Sequence, residues 1–359
     1  MKKIVFLLII VVIIVVSPLS VSANERVEEY ISEFESIIPE EMSGITDGGE
    51  ILIERFSIKG ILSEAFASIK GESGDLVKFF LVLVGGISIF SLAAECHESF
   101  SRQTEAAVGL VISLSVFPVV SSALSSVAHS LGEISTFFGA LTPIAVGVTA
   151  LGGGASAAGV QASGMYTAFT VIGGTGKEIF LSLSVFGLAI ASLSSLGNSS
   201  AVSVGKGIKS IFTWCAGIFT TLITAVFALQ TLVASAADSA AMRTAKYMAS
   251  GLIPVVGSAI SGALATLASG LSYAKSLIGG GAIAVILSMV ISPLVMLLLY
   301  RLSLTLASNV AVLVGAEALS AIFLSYRFVI DMTVAVYTLS VIVYLFQVIL
   351  FLRIGVALL

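Results

Sequence analysis

Charge is the scarcest thing in this sequence. Of its 359 residues only 11% are Asp, Glu, Lys or Arg, against about 25% in an average soluble protein. There are two cysteines, Cys96 and Cys215, and neither sits in a C-x-x-C or other metal spacing. One lies in a short polar loop and the other in an apolar stretch, so they are read as unpaired. There are two histidines, His97 and His129, and no H-E-x-x-H or comparable spacing to hold zinc. No basic patch exists to bind nucleic acid. No serine in an apolar stretch has a His or Lys partner at a telling spacing, so no nucleophilic enzyme is expected. Gly173-Gly174-Thr175-Gly176-Lys177-Glu178 imitates a phosphate loop, but Val171 stands at the first glycine position and Glu178 at the Ser/Thr position. The reading is of a protein that is not an enzyme and carries no cofactor or metal.

What the chain has is apolar residue. It is 57% hydrophobic, with a mean hydropathy of +1.12, more apolar surface than a soluble core can hide. Its apolar runs are long and unalternated, which excludes a transmembrane β-barrel. The expected class is an all-α polytopic integral membrane protein. The few charges are unevenly spread: residues 24–78 hold 13 acids and 5 bases, residues 79–359 hold 8 and 10.

In chain order, Lys2 and Lys3 precede an apolar run from Ile4 to Val16, followed by Val21-Ser22-Ala23. This has the form of a secretory leader, 1–23, cut after Ala23, with an uncleaved anchor as the alternative. Residues 24–75 then read as a small acidic extracytoplasmic helical segment. Within it Val27, Ile31, Phe34 and Ile38 form one apolar helical stripe ended by Pro39, and Ile51 to Ile69 repeats the pattern. A membrane domain, 76–359, follows, with candidate spans at 76–94, 106–128, 134–151, 178–197, 209–236, 254–273, 282–300, 302–324 and 332–357, or seven to nine in all. Lys206 and Lys209 mark one loop as cytoplasmic. The segment 152–176 holds eight glycines; it is too broken for a span and too apolar for a free loop, and reads as a re-entrant or discontinuous helix.

The charges inside the C-terminal apolar part are Arg301, Glu317, Arg327, Asp331 and Arg353. Arg327 and Asp331 are four apart and can pair on one turn. Arg301 or Arg327 can also partner Glu317. Span ends with snorkelling side chains account for all but Glu317, which lies inside the 302–324 run and is an equally good candidate for a functional intramembrane charge.

The most structured stretch is 237–281. Asp238, Arg243 and Lys246 stand between two apolar segments, then Gly251 and Pro254 break one helix and start another. On that next helix the large residues fall on one stripe. The other side is small, with Gly257 and Ser261 in one row and Ser258, Gly262 and Thr266 in the next. Such a face packs closely against another helix or lines a narrow hydroxylated path. The order Arg-Thr-Ala-Lys-Tyr, Ile-Pro-Val-Val-Gly, Ala-Thr-Leu-Ala-Ser and the glycines 279–281 resembles the stage III sporulation protein AE family, and the flanking layout of leader, acidic segment and many spans is similar to it throughout.

The resemblance implies a multi-pass component of a channel or feeding complex in the mother-cell membrane around the engulfed forespore. Implied partners are the other proteins of that secretion-like apparatus, including ring-forming and ATPase-like members, along with the lipid bilayer and further copies of the chain itself. The residues alone leave two rivals open. A secondary transporter is suggested by broken helices and Glu317, and a non-conducting assembly scaffold for partner proteins is the other.

Overall fold

In the computed structural model the described residues are 25–39, 58–96, 101–152, 155–176 and 257–353, with isolated positions between 182 and 230. Every regular element among them is helical, as the composition requires. They comprise a short helix α1 at residues 25–36, then α2 (Ile58–Cys96), α3 (Ser101–Leu151), α4 (Ala155–Ala168), a π-helix (Phe169–Gly176), α5 (Gly257–Leu313) and α6 (Glu317–Arg353). Among the described residues four helices are long and apolar enough to cross a membrane, at Gly74–Leu92, Ala107–Leu151, Ser269–Leu313 and Glu317–Arg353. The chain is an all-α polytopic membrane protein.

The helices are longer than the apolar windows in the sequence. The stretches 106–128 and 134–151 belong to one helix of 51 residues, about 76 Å at 1.5 Å per residue. The helix runs through Gly132 in the polar interval between them, and His129 and Glu133 bridge that interval at 3.2 Å one turn apart. Likewise 282–300 and the first half of 302–324, as far as Leu313, form one helix, and α2 runs unbroken through Gly71 and Gly74.

Among the described residues of the C-terminal half, the one sharp turn falls inside the expected 302–324 span. Gly315 has φ +78°, donates to the Val312 carbonyl at 3.0 Å, and is followed by an Ala316 N–H bonded to the Ala311 carbonyl at 2.8 Å. These two bonds are the Schellman pattern, which uses the left-handed glycine to satisfy the last carbonyls of a helix. Nothing crowds the site of a Cβ on Gly315, so only the backbone angle demands glycine. Gly315→Val should therefore lower stability by about 1–2 kcal/mol, with Gly315→Asn milder. Thermal unfolding of the detergent-solubilised protein measures both. A valine variant unfolding at the wild-type temperature would contradict this account of the turn.

That turn folds α5 and α6 into an antiparallel hairpin, closed near its tip by Ser308 and Ser320 at 2.8 Å. α5 also packs on α2 and α3, while α6 packs on α3 and α4. Between α3 and α6 runs a ladder of buried tyrosines. Tyr326 shares a hydrogen bond of 2.6 Å with Ser113, and Tyr337 one of 2.7 Å with Ser130. The Tyr344 ring packs at a tilt against Phe138, 4.8 Å between centroids, and its buried hydroxyl has no hydrogen-bond partner among the described residues. Spacings of eleven and seven residues return to one side of α6, so the three rings share a face. A buried hydroxyl left unpaired costs about 1–3 kcal/mol, so the bonded rungs fix the register of α6 on α3.

The hairpin also shows where the bilayer fits. Between Lys275 and Arg301 on α5 no residue is charged, and the same is true between Asp331 and Arg353 on α6. These sections are about 37 and 31 Å long, matching a hydrocarbon core of about 30 Å. Arg301 and Asp331 bond to each other at one end. At the other, the Lys275 Nζ lies 5.4 Å from the centre of the Phe351 ring, a cation–π distance.

Helix α1 lies against this body. Val27, Phe34 and Ile38 are buried while Glu25, Glu28, Glu29, Glu33 and Glu35 face out, which is the stripe expected from the sequence. The places where Tyr30 and Phe34 dock are glycines. A Cβ on Gly147 would stand 2.4 Å from the Tyr30 hydroxyl, and one on Gly281 would stand 2.8 Å from the Phe34 ring.

Candidate functional site

The midpoint of α3 carries the polar feature of the bundle that its apolar surroundings least explain. Ser130 donates to the Met289 carbonyl at 3.1 Å. Met289 stands near the middle of the charge-free section of α5, so this contact sets Ser130, with His129 and Glu133 beside it, level with the middle of that section. Charge at that depth costs about 2.5–3.5 kcal/mol on insertion scales, and such residues face wet cavities or partners.

Two clefts adjoin the pair. One, of about 570 Å³, is lined by Ser122, Ser125, Ser126 and Ser130 from α3, Ser292 from α5, and both His129 and Glu133. The other, of about 930 Å³, shares His129, Glu133, Met289 and Pro39 with it, and adds Ser135, Thr136, Thr170 and Gly173. Ser122, Ser125, Ser126, His129 and Glu133 fall on one face of α3 at helical spacing, so that face is hydroxylated and ionisable. The His129 and Glu133 side chains are 78% and 51% exposed, open enough to reach a solute or water in the clefts. Hydroxyls, an imidazole and a carboxylate can replace part of the hydration shell of a polar solute, which apolar side chains cannot.

The glycine-rich segment forms one wall. α4 and the π-helix pack on α3, and the eight-residue π-helix Phe169–Gly176 is a rare element found often at functional sites. Its Gly173 meets α3 closely, since a Cβ there would lie 1.8 Å from the Ser135 Oγ and 3.2 Å from the Tyr344 hydroxyl. Thr149 donates to the Gln161 side-chain oxygen at 2.6 Å, binding α4 to α3 within the bundle. Residues 155–176 are thus helical with an interrupted pitch.

The residues singled out in the sequence fall elsewhere. Gly257, Ser258, Ser261, Gly262 and Thr266 lie in the first turns of α5, whose backbone is helical there; their side chains lie outside the described residues. Asp238, Arg243 and Lys246 lie outside the described residues as well. Glu317 is the first residue of α6 and is exposed, because Gly315 ends the preceding helix. It is an acid in the first turn, where the helix dipole favours it. The expected Arg327–Asp331 pair does form, at 3.6 Å, and Arg301 joins the same carboxylate. The alternative partnership of Arg301 or Arg327 with Glu317 is not among the ion pairs of the described residues. Glu317 starts α6 fourteen residues before Asp331, about 21 Å along the helix.

Among the described residues no group of three or more His, Cys, Asp and Glu side chains could hold a metal ion. Sequence reasoning passed over His129 and Glu133. The available signal was their spacing of four within a serine-rich turn, and the polar interval read instead as a loop.

A family model described as stage III sporulation protein AE matches residues 37–358. No curated protein and no solved structure matches the chain.

Proposed function

This chain belongs to the stage III sporulation protein AE family, and on that premise we propose that it is a membrane-embedded component of the channel or feeding complex that joins mother cell and forespore. It acts in the mother-cell membrane around the forespore, after engulfment, alongside ring-forming and ATPase-like partners. It hydrolyses nothing itself. The observation that carries this reading beyond a sporulation role is the pair of hydroxyl-lined clefts around His129 and Glu133, level with the middle of the charge-free section of α5, where a wetted path or a bound polar solute makes such groups tolerable. The clefts open at the surface of this single chain, so further copies or partner subunits complete the wall of the conduit. A secondary transporter is the second reading, favoured by the interrupted helix α4–π and the ionisable pair beside it.

Deleting the gene in its spore-forming host is the test. Forespores that engulf normally, then shrink and fail in late gene expression, are the expected result. Normal spores would contradict it. Solute uptake by vesicles holding this protein alone, with a dependence on Glu133, would replace the channel-component reading with the transporter.

A further inference from the structure

Arg301, Arg327 and Asp331 form a cluster with two positive groups and one negative. The Arg301 Nε donates to Asp331 Oδ1, and the Arg327 Nε lies 3.6 Å from Oδ2. Both arginines approach the carboxylate through Nε, and among the described residues neither guanidinium makes another ion pair or hydrogen bond. The cluster ends the charge-free sections of α5 and α6, which sets it at the edge of the hydrocarbon core.

From this cluster a groove of about 630 Å³ runs along the hairpin into the charge-free section. Asp331, Ala335, Thr338 and Ile342 recur every three or four residues along its α6 wall, and Leu298 and Arg301 stand on the α5 wall. The α6 wall extends about 16 Å, close to the depth of one leaflet in a core about 30 Å thick. Its lining is apolar apart from Arg301, Asp331 and Thr338, and Arg327 stands one helical turn beyond it, beside Asp331. The groove is therefore amphipathic along its length, with surplus positive charge at the interface and aliphatic side chains below.

We propose that this groove is a binding site for an anionic phospholipid, with the phosphate on Arg301 and Arg327 and an acyl chain along Ala335, Thr338 and Ile342. Guanidinium N–H groups suit phosphate oxygens, and basic pockets between transmembrane helices take acidic head groups. Asp331 holds the two arginines together and leaves one net positive charge for the lipid. Phosphatidylcholine, whose head group is neutral overall, lacks the charge complement.

The full chain in nanodiscs of mixed phosphatidylglycerol and phosphatidylcholine, released into native mass spectrometry, gives the test. The wild type should keep phosphatidylglycerol in preference to phosphatidylcholine. Arg327→Gln leaves the Arg301–Asp331 bond in place and should lower that retention about fivefold. Ala335→Phe changes an exposed position, keeps every charge and fills the groove, and should lower it as far or further. Equal retention of the two lipids, or full retention by Ala335→Phe, would overturn the proposal. So would displacement of the lipid by glycerol phosphate at equal concentration, since the head group alone would then be the ligand.

Discussion

Replacing His129 and Glu133 together by leucine is expected to lower spore yield by at least about tenfold, since an apolar constriction closes a narrow path by dewetting. The double variant should still reach the membrane. Both side chains are exposed, so leucine crowds nothing. What changes is the cleft. Its serines remain, but its two strongest hydrating groups are gone, and each hydrogen bond withdrawn from a passing solute removes about 1 kcal/mol. Glu133→Gln separates wetting from ionisation, because the amide keeps the polarity and loses the charge. Near-normal spores from the glutamine variant with failure of the leucine pair indicate a hydrated path. Failure of both indicates that the carboxylate itself carries an ion or proton. Normal sporulation in the leucine pair, with normal protein levels, would remove these clefts from the function.

Phe34→Ala should loosen α1 from the bundle at a cost of about 3–5 kcal/mol, the range for truncating a buried phenylalanine. Phe34 is fully buried, 0% exposed, and its ring meets Gly281 of α5 with no room for a Cβ between them. Because α1 is short and held mainly by this face, the loss should appear as local release. Limited proteolysis within residues 25–39 should accelerate strongly, while α5 and α6 stay protected. Gly281→Val attacks the same contact from the other side and should act in the same direction by about 1–3 kcal/mol. Glu33→Ala, on the exposed face, should leave the digestion rate unchanged. Since Pro39, just beyond α1, lines both polar clefts, the released variants also report on whether a docked α1 is needed for sporulation.

The sequence made some of this legible and hid the rest for physical reasons. Helical class and membrane placement follow from the scarcity of charge, and the buried face of α1 from the spacing of Val27, Phe34 and Ile38. The Arg327–Asp331 pair is a local, one-turn contact, so spacing sufficed to find it. Helix lengths were harder. A hydropathy window ends wherever polar residues gather, but a helix ends only where its backbone is diverted. His129 and Glu133 therefore sit inside a helix and Arg301 within another, whereas the real turn lies at Gly315 in an apolar run. The signals there were small: one glycine, then an acid two residues on that opens the next helix. Tyr326 and Tyr337 show their shared face in the sequence, but their serine partners lie 213 and 207 residues away, a distance only packing bridges. The small-residue face at 257–266 drew attention by its pattern, while the polar clefts draw together residues of α3, α5, the π-helix and Pro39.

Water is expected to reach the cleft beside His129, and a single cysteine placed there reads its presence. With Cys96 and Cys215 replaced, Ser126→Cys in the cleft and Ile342→Cys on the apolar surface of α6 would each be exposed, in intact membranes, to a membrane-impermeant maleimide. That reagent needs a hydrated thiolate. Labelling at residue 126 and none at residue 342 is the predicted result. Equal resistance at both positions would show the cleft to be dry and would contradict the account.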